Sequence, residues 1–138
     1  WKGTLTPVDV PAGVPQPQPP RTVYLVVRQS AFRVRLTLYT AESFSRSTAA
    51  EFTRIDDESE LVYSYQNVPD LNLQGHSPAH LGTAALELVS TQPVTLKGVY
   101  YTQRLTRGML VFDKHCVQVA QSFADAQSMQ CMQRPVRR

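Results

Sequence analysis

Long apolar runs are missing from this sequence: nowhere do about 18 apolar residues follow one another, the length a helix needs to cross a bilayer. No leader with a charged, then apolar, then small-residue order opens the chain either. As it stands, the segment is therefore no helical membrane channel. Cysteine is scarce, at two residues, which excludes a disulfide-stapled mini-scaffold. Glycine is scarce too, at six, and none of the six sits in a phosphate-cradling loop. Excess charge of one sign is small: 14 Lys and Arg face 11 Asp and Glu, a net +3. That excess neutralises few phosphates, so a long nucleic acid is a poor partner. Heptads are lacking, which excludes a coiled coil.

What is present is a globular balance, with 42% hydrophobic and 18% charged residues over 138 positions, enough for one domain with a real core. The cations are mostly arginine, 11 of the 14. The chain starts at Trp1 rather than Met, which reads as a piece of a longer protein. Cys116 and Cys131 both fall in a stretch that reads as helix. A continuous helix would hold them roughly 22 Å apart, beyond disulfide reach. Two free thiols are thus expected, and with them a reducing, cytoplasmic compartment.

Periodicity divides the chain into a barrel domain over 1–112, a helix over 113–133 and a basic tail over 134–138. Trp1 to Thr6 reads as a short strand, followed by a proline-rich loop over 7–20 that holds six of the ten prolines. From Thr22 to Phe112 apolar and polar residues alternate with period two. Strands are expected at Thr22–Gln29, Arg33–Thr40, Ser45–Ile55, Glu60–Asn67, His80–Ser90, Val94–Gln103 and Met109–Phe112. Turns are expected at Asp56-Asp57-Glu58, at Gln92-Pro93 and at Arg107-Gly108. Seven or eight strands with short links and no helix between them describe an antiparallel meander. The expected fold is all-β: a small up-and-down barrel of about eight strands with a C-terminal α-helix. A two-sheet sandwich is the rival. In 113–133 the apolar stripe is thin, with Asp113 as the expected N-cap.

Metal and catalysis find little support. His76 and His80 have the spacing of a helical zinc pair, but Pro78 lies between them, and His115 beside Cys116 has no partner set. No nucleophile elbow occurs, and the carboxylates cluster at one solvated turn. The chemistry that remains lies on strands. Tyr63, Tyr65 and Asn67 share a face by alternation. Tyr100, Thr102, Arg104 and Thr106 share another if their strand runs on. Tyrosines offer flat surfaces to a base, and Arg104 offers a planar fork to a phosphate. Serine, threonine and asparagine supply neutral hydrogen bonds. A barrel lined this way suits a nucleotide-like anion.

The residues also carry a resemblance. Thr40, Ser43, Ser45 and Ser47 form a Thr-x-x-Ser-x-Ser-x-Ser pattern, and Tyr65-x-Asn67-x-Pro69 is followed by His80-x-Gly82-Thr83-x-x-Leu86. Gly98-x-Tyr100-Tyr101-Thr102-x-Arg104-x-Thr106-x-Gly108 completes the set, and Trp1-x-Gly3 opens it. In order and spacing this resembles the β-strand-rich domain that follows two transmembrane helices in the SMODS-associated effectors of CBASS anti-phage systems. A similar effector serves the Panoptes defence system, where the bound nucleotide restrains instead of activating. The resemblance implies a barrel that binds a cyclic dinucleotide and controls oligomerisation of N-terminal membrane helices, hence membrane disruption and abortive infection. It implies an inner-membrane protein with this domain cytoplasmic, soluble as the present chain, a homo-oligomer at full length, and no enzyme, cofactor or metal. Carried onto this sequence, Tyr65 and Tyr101 are expected to stack on bases and Arg104 to hold phosphate. Thr40, Ser45, Asn67, Thr102 and Thr106 are expected to hydrogen-bond the ligand. Tyr101 and Arg104 differ in parity, so joint contact requires a bulge between them. Gly82, Gly98 and Gly108 read as backbone positions, and His80 as structural. Three other readings stay open: a lipocalin-like carrier with Leu36, Leu38, Leu61 and Leu88 inside and tyrosines outside, a ligand-free adaptor, and a nucleotide-degrading enzyme.

Overall fold

Alternating sequence becomes alternating burial in the computed structural model, which describes residues 1–9, 12–56, 58–75, 78–89 and 94–133. The strands are β1 (Lys2–Asp9), β2 (Arg21–Gln29), β3 (Val34–Tyr39), β4 (Ser43–Ile55) and β5 (Glu58–Pro69). They continue with β6 (His80–Val89), β7 (Thr95–Thr102) and β8 (Arg107–Cys116). Each pairs antiparallel with the next, and β1 pairs with β8, so the meander closes into an eight-stranded barrel. A sandwich is thereby ruled out. The segment at Arg107 and Gly108, expected as a turn, opens β8 instead, and the turn lies just before it. Pro7 falls inside β1, beyond the last β1–β2 pair at Leu5, where only the β8 side is laddered. The expected turn at Gln92-Pro93, the tail 134–138 and His76 lie outside the described residues.

Because side chains alternate, inward positions form rings down the barrel. Phe112, Leu86, Leu96 and Leu61 close the lower end, and Leu25, Leu36 and Leu110 lie above them. Tyr63, Tyr65 and Tyr100 stand in the same buried cluster. Two inward glycines sit under tyrosines of neighbouring strands. Gly82 pairs with Tyr65, and a β-carbon there would overlap its ring. Gly108 pairs with Tyr100, and a β-carbon there would lie 2.6 Å from the Tyr100 hydroxyl oxygen. Missing side-chain volume on one strand is what lets a ring lie flat on the next.

The C-terminal part corrects the expected 113–133 helix. β8 runs on to Cys116, so Asp113 is a strand residue, and the only helix here is α1 (Phe123–Ser128). Its N-cap is Ser122, whose Oγ accepts from the Asp125 amide at 3.1 Å, while Asp125 accepts from the Gln121 amide at 2.8 Å. β9 (Cys131–Met132) then pairs back onto β8 with Cys116 opposite Cys131. The two Cα atoms are 4.2 Å apart and the sulfurs are bonded. The free-thiol expectation fails because the chain folds back here, and the inference of a reducing compartment falls with it. Ala120, Ala126 and Phe123 pack on Tyr24 of β2, against the outside of the barrel.

Candidate functional site

The upper end of the barrel encloses a cavity of about 310 Å³, at the lower bound of the roughly 300–1,000 Å³ usual for small-molecule sites. Seven of the eight residues expected from sequence line it: Thr40, Ser45, Tyr65, Asn67, Thr102, Arg104 and Thr106. Tyr101 does not. It is 52% exposed on the outer wall beside Val99 and Met109, and its neighbour Tyr100 is the residue that faces inward. The parity conflict between Tyr101 and Arg104 is resolved this way, since β7 carries no bulge and simply ends at Thr102.

Local chain geometry explains each placement. β3 and β4 join through a short turn in which Thr40 Oγ1 accepts from the amides of Glu42 and Ser43, at 3.2 and 3.0 Å. Asn67, on the inner face of β5, spends its side-chain amide on Ser43 Oγ at 2.9 Å and Ser45 Oγ at 3.0 Å. A connected shelf of hydroxyls and amide thus lies along one side of the mouth, buried or half-buried. Across from it, β7 and β8 join through a turn closed by the Thr102 amide on the Thr106 carbonyl at 2.9 Å. The hydroxyls of Thr102 and Thr106 meet at 2.6 Å. Arg104 stands in this turn, and Leu105 takes a left-handed conformation with φ 58°.

Charge at the mouth is balanced locally. Glu42 pairs with Arg21 at 3.1 Å, and Asp9 pairs with Arg107. Each rim carboxylate therefore has a cation beside it, and neither presents bare negative charge to an incoming anion. His80, read from sequence as structural, lines the cavity as well. Its Nδ1 lies 3.2 Å from the Pro78 carbonyl, so the proton belongs on Nδ1 and Nε2 is the acceptor. Burial and, to a smaller extent, the Arg104 charge hold its pKa below 6.5, with the Pro78 hydrogen bond pulling the other way. Burial pushes the phenols of Tyr63, Tyr65 and Tyr100 upward, so all three are neutral hydrogen-bonding groups at pH 7.

Sequence reasoning named the Tyr63–Tyr65–Asn67 face but omitted Tyr63 and Tyr100 from the contact set. Burial alternation alone would have included both. It also missed the proline-rich loop, whose Val14 and Gln18 reach the cavity. Deeper in, Val23, Leu38 and Leu110 make an apolar lining. A closed barrel with aromatic walls, a hydroxyl shelf and arginine at its rim is the arrangement against which known families can be compared. The family described as Cap15, cyclic dinucleotide receptor domain, matches residues 17–114. The chain belongs to this family.

The match takes in β2 to β7 and nearly all of β8, hence every one of the residues expected from sequence. β1, the start of the proline-rich loop and the C-terminal fold-back lie outside it. No curated protein and no solved structure matches the chain. A cyclic dinucleotide receptor domain is a ligand-binding module of a CBASS effector, and the barrel suits that role. No helix among the described residues is long and apolar enough to cross a membrane. No group of three or more metal-ligating side chains occurs among the described residues.

Proposed function

We propose that this chain binds a cyclic dinucleotide in the upper cavity of the barrel and that the ligand state controls a membrane-disrupting effector. The observation that carries the reading is the cavity itself, with tyrosine rings in its wall and Arg104 at its rim, in a chain of the Cap15 receptor family. In this reading Arg104 forks onto a phosphate. Thr40, Ser45, Asn67, Thr102 and Thr106 hydrogen-bond the ligand, and Tyr65 stacks on a base, with Tyr100 in the part assigned to Tyr101 from sequence. Full-length protein would oligomerise and be held in the inner membrane by helices preceding this segment, with the barrel on the cytoplasmic side. The lipocalin-like alternative places Leu36, Leu38, Leu61 and Leu88 inside, as they are, but the tyrosines outside, whereas Tyr63, Tyr65 and Tyr100 are all inside.

Titration calorimetry against a panel of cyclic dinucleotides tests the reading. Binding by at least one member is expected, and a folded protein that binds none of them rejects it. Arg104→Ala is expected to weaken the best ligand by about ten-fold or more, the loss of a charge-assisted hydrogen bond. Unchanged affinity would remove Arg104 from the site.

A further inference from the structure

Tyr63 is 3% exposed, and among the described residues its hydroxyl is the only buried side-chain oxygen or nitrogen without a hydrogen-bond partner. A hydroxyl in that position costs stability, because it has given up water for nothing. Phenylalanine would fill the same space without the cost, so the oxygen calls for a use outside the fold. Its location indicates what that use is. Tyr63 lines the cavity four residues below Asn67 on the same face of β5, about 13 Å further along the strand. Directly across from it on the neighbouring strands stand Ala50 and Ala84, which offer no polar side chain. The apolar lining of the cavity is Val23, Leu38 and Leu110.

The hydroxyl itself is closed off from the cavity space, so a group reaching it must shift the rings beside it, Tyr65 first, and must be flat, apolar over its faces and polar at its leading edge. A phosphate fails, since it would lose its hydration against leucine. A nucleobase fits. Resting on the cyclic-dinucleotide reading above, we infer that one of the two bases enters the barrel edge-first and that Tyr63 Oη hydrogen-bonds a heteroatom on that edge, while sugar and phosphate stay at the mouth. The neighbouring Tyr65 ring, 5.9 Å away and tilted by 47°, flanks the entering base. The phenol is both donor and acceptor, so it accepts either a ring nitrogen or an exocyclic amine.

Tyr63→Phe separates this role from a structural one. Calorimetry of wild type and variant with cyclic di-AMP, cyclic di-GMP and cyclic GMP-AMP should show affinity for the best ligand falling roughly five- to ten-fold. The ligand-free variant should unfold at the same or a higher temperature. Affinity within two-fold of wild type overturns the inference, and so does a destabilised ligand-free variant, which would assign the hydroxyl to the fold. If wild type binds none of the three, the functional reading fails and the inference falls with it. If Arg104→Ala loses binding while Tyr63→Phe keeps it, the inference alone fails. A second measurement on wild type uses a cyclic dinucleotide with one adenine replaced by 2-aminopurine. Its fluorescence should be shielded from acrylamide when that base is the inserted one. Full quencher access for both positions of substitution overturns base insertion.

Discussion

Gly82 and Gly108 shape the site through the volume they leave out. Each lets the tyrosine of a neighbouring strand lie against bare backbone, which keeps Tyr65 and Tyr100 along the wall. Gly82→Ala should push the Tyr65 ring toward the cavity, costing about 1–3 kcal/mol of stability by denaturant unfolding, and should reduce ligand affinity in parallel. His80 gives the site a pH dependence. Its folded pKa lies below its ordinary 6.5, so the unfolded chain binds the proton more readily. Its contribution to stability is whole above pH 6.5 and is lost as pH falls from there through the folded value. A phosphate nearby would reverse the bias by favouring the imidazolium. Cyclic dinucleotide affinity should therefore rise as pH is lowered from 7.5 to 6, and His80→Gln should flatten that slope in calorimetry at each pH. Which side chains line the cavity was largely legible in the sequence, because period-two alternation fixes which side chains share a face. The exception, Tyr101 for Tyr100, came from carrying a motif over where parity on β7 pointed the other way. Tyr63 was passed over for a different reason: a missing hydrogen-bond partner is a property of three dimensions.

The β7–β8 turn is where an element departs from its easiest conformation. Leu105 is 92% exposed and sits at φ 58°, a region that disfavours a residue with a β-carbon. Nothing packs on its side chain to hold it there, so the turn is set by the paired threonines and the backbone bond between Thr102 and Thr106. Leu105→Gly should leave the fold intact and raise stability by up to about 1 kcal/mol in urea unfolding. If Arg104 depends on the rigidity of this turn, ligand affinity should fall slightly in the same variant. The strands themselves were readable because each is long, alternating and bounded by turn residues. The C-terminal element was not. Apolar residues at three- and four-residue steps in 113–133 imitate a helix, but β8 carries the register through Asp113 to Cys116. Pairing with a distant strand overrode the local pattern.

Taken as a whole, the molecule is a closed barrel with a tethered flap. Closure by β1–β8 was expected from strand number and link length. The tether was not, because a disulfide depends on where two segments meet in space, and spacing along the chain is silent about that. Opening Cys116–Cys131 removes a constraint on a 15-residue loop, worth about 3 kcal/mol in the chain-entropy description. Treatment with reductant, or Cys116→Ser with Cys131→Ser, should therefore speed amide exchange in 123–132 while β5 and β6 stay protected. Cyclic dinucleotide binding should survive within about two-fold, since the flap packs on Tyr24 outside the barrel and none of its residues lines the cavity. Loss of binding on reduction would show that the flap supports the site.

That separation has a mechanical side. Trp1 lies beside His115, with ring centroids 5.2 Å apart, and Gly3 pairs with Phe112 at the closed end, so β1 begins at the pole opposite the mouth. Between the poles run eight laddered strands, and a ladder cannot slip by one residue without turning every inward side chain out. The barrel therefore behaves as a stiff column. In the proposed reading, a ligand that moves the mouth would act on the far pole through a tilt or shear of whole strands, and Trp1 stands at that pole.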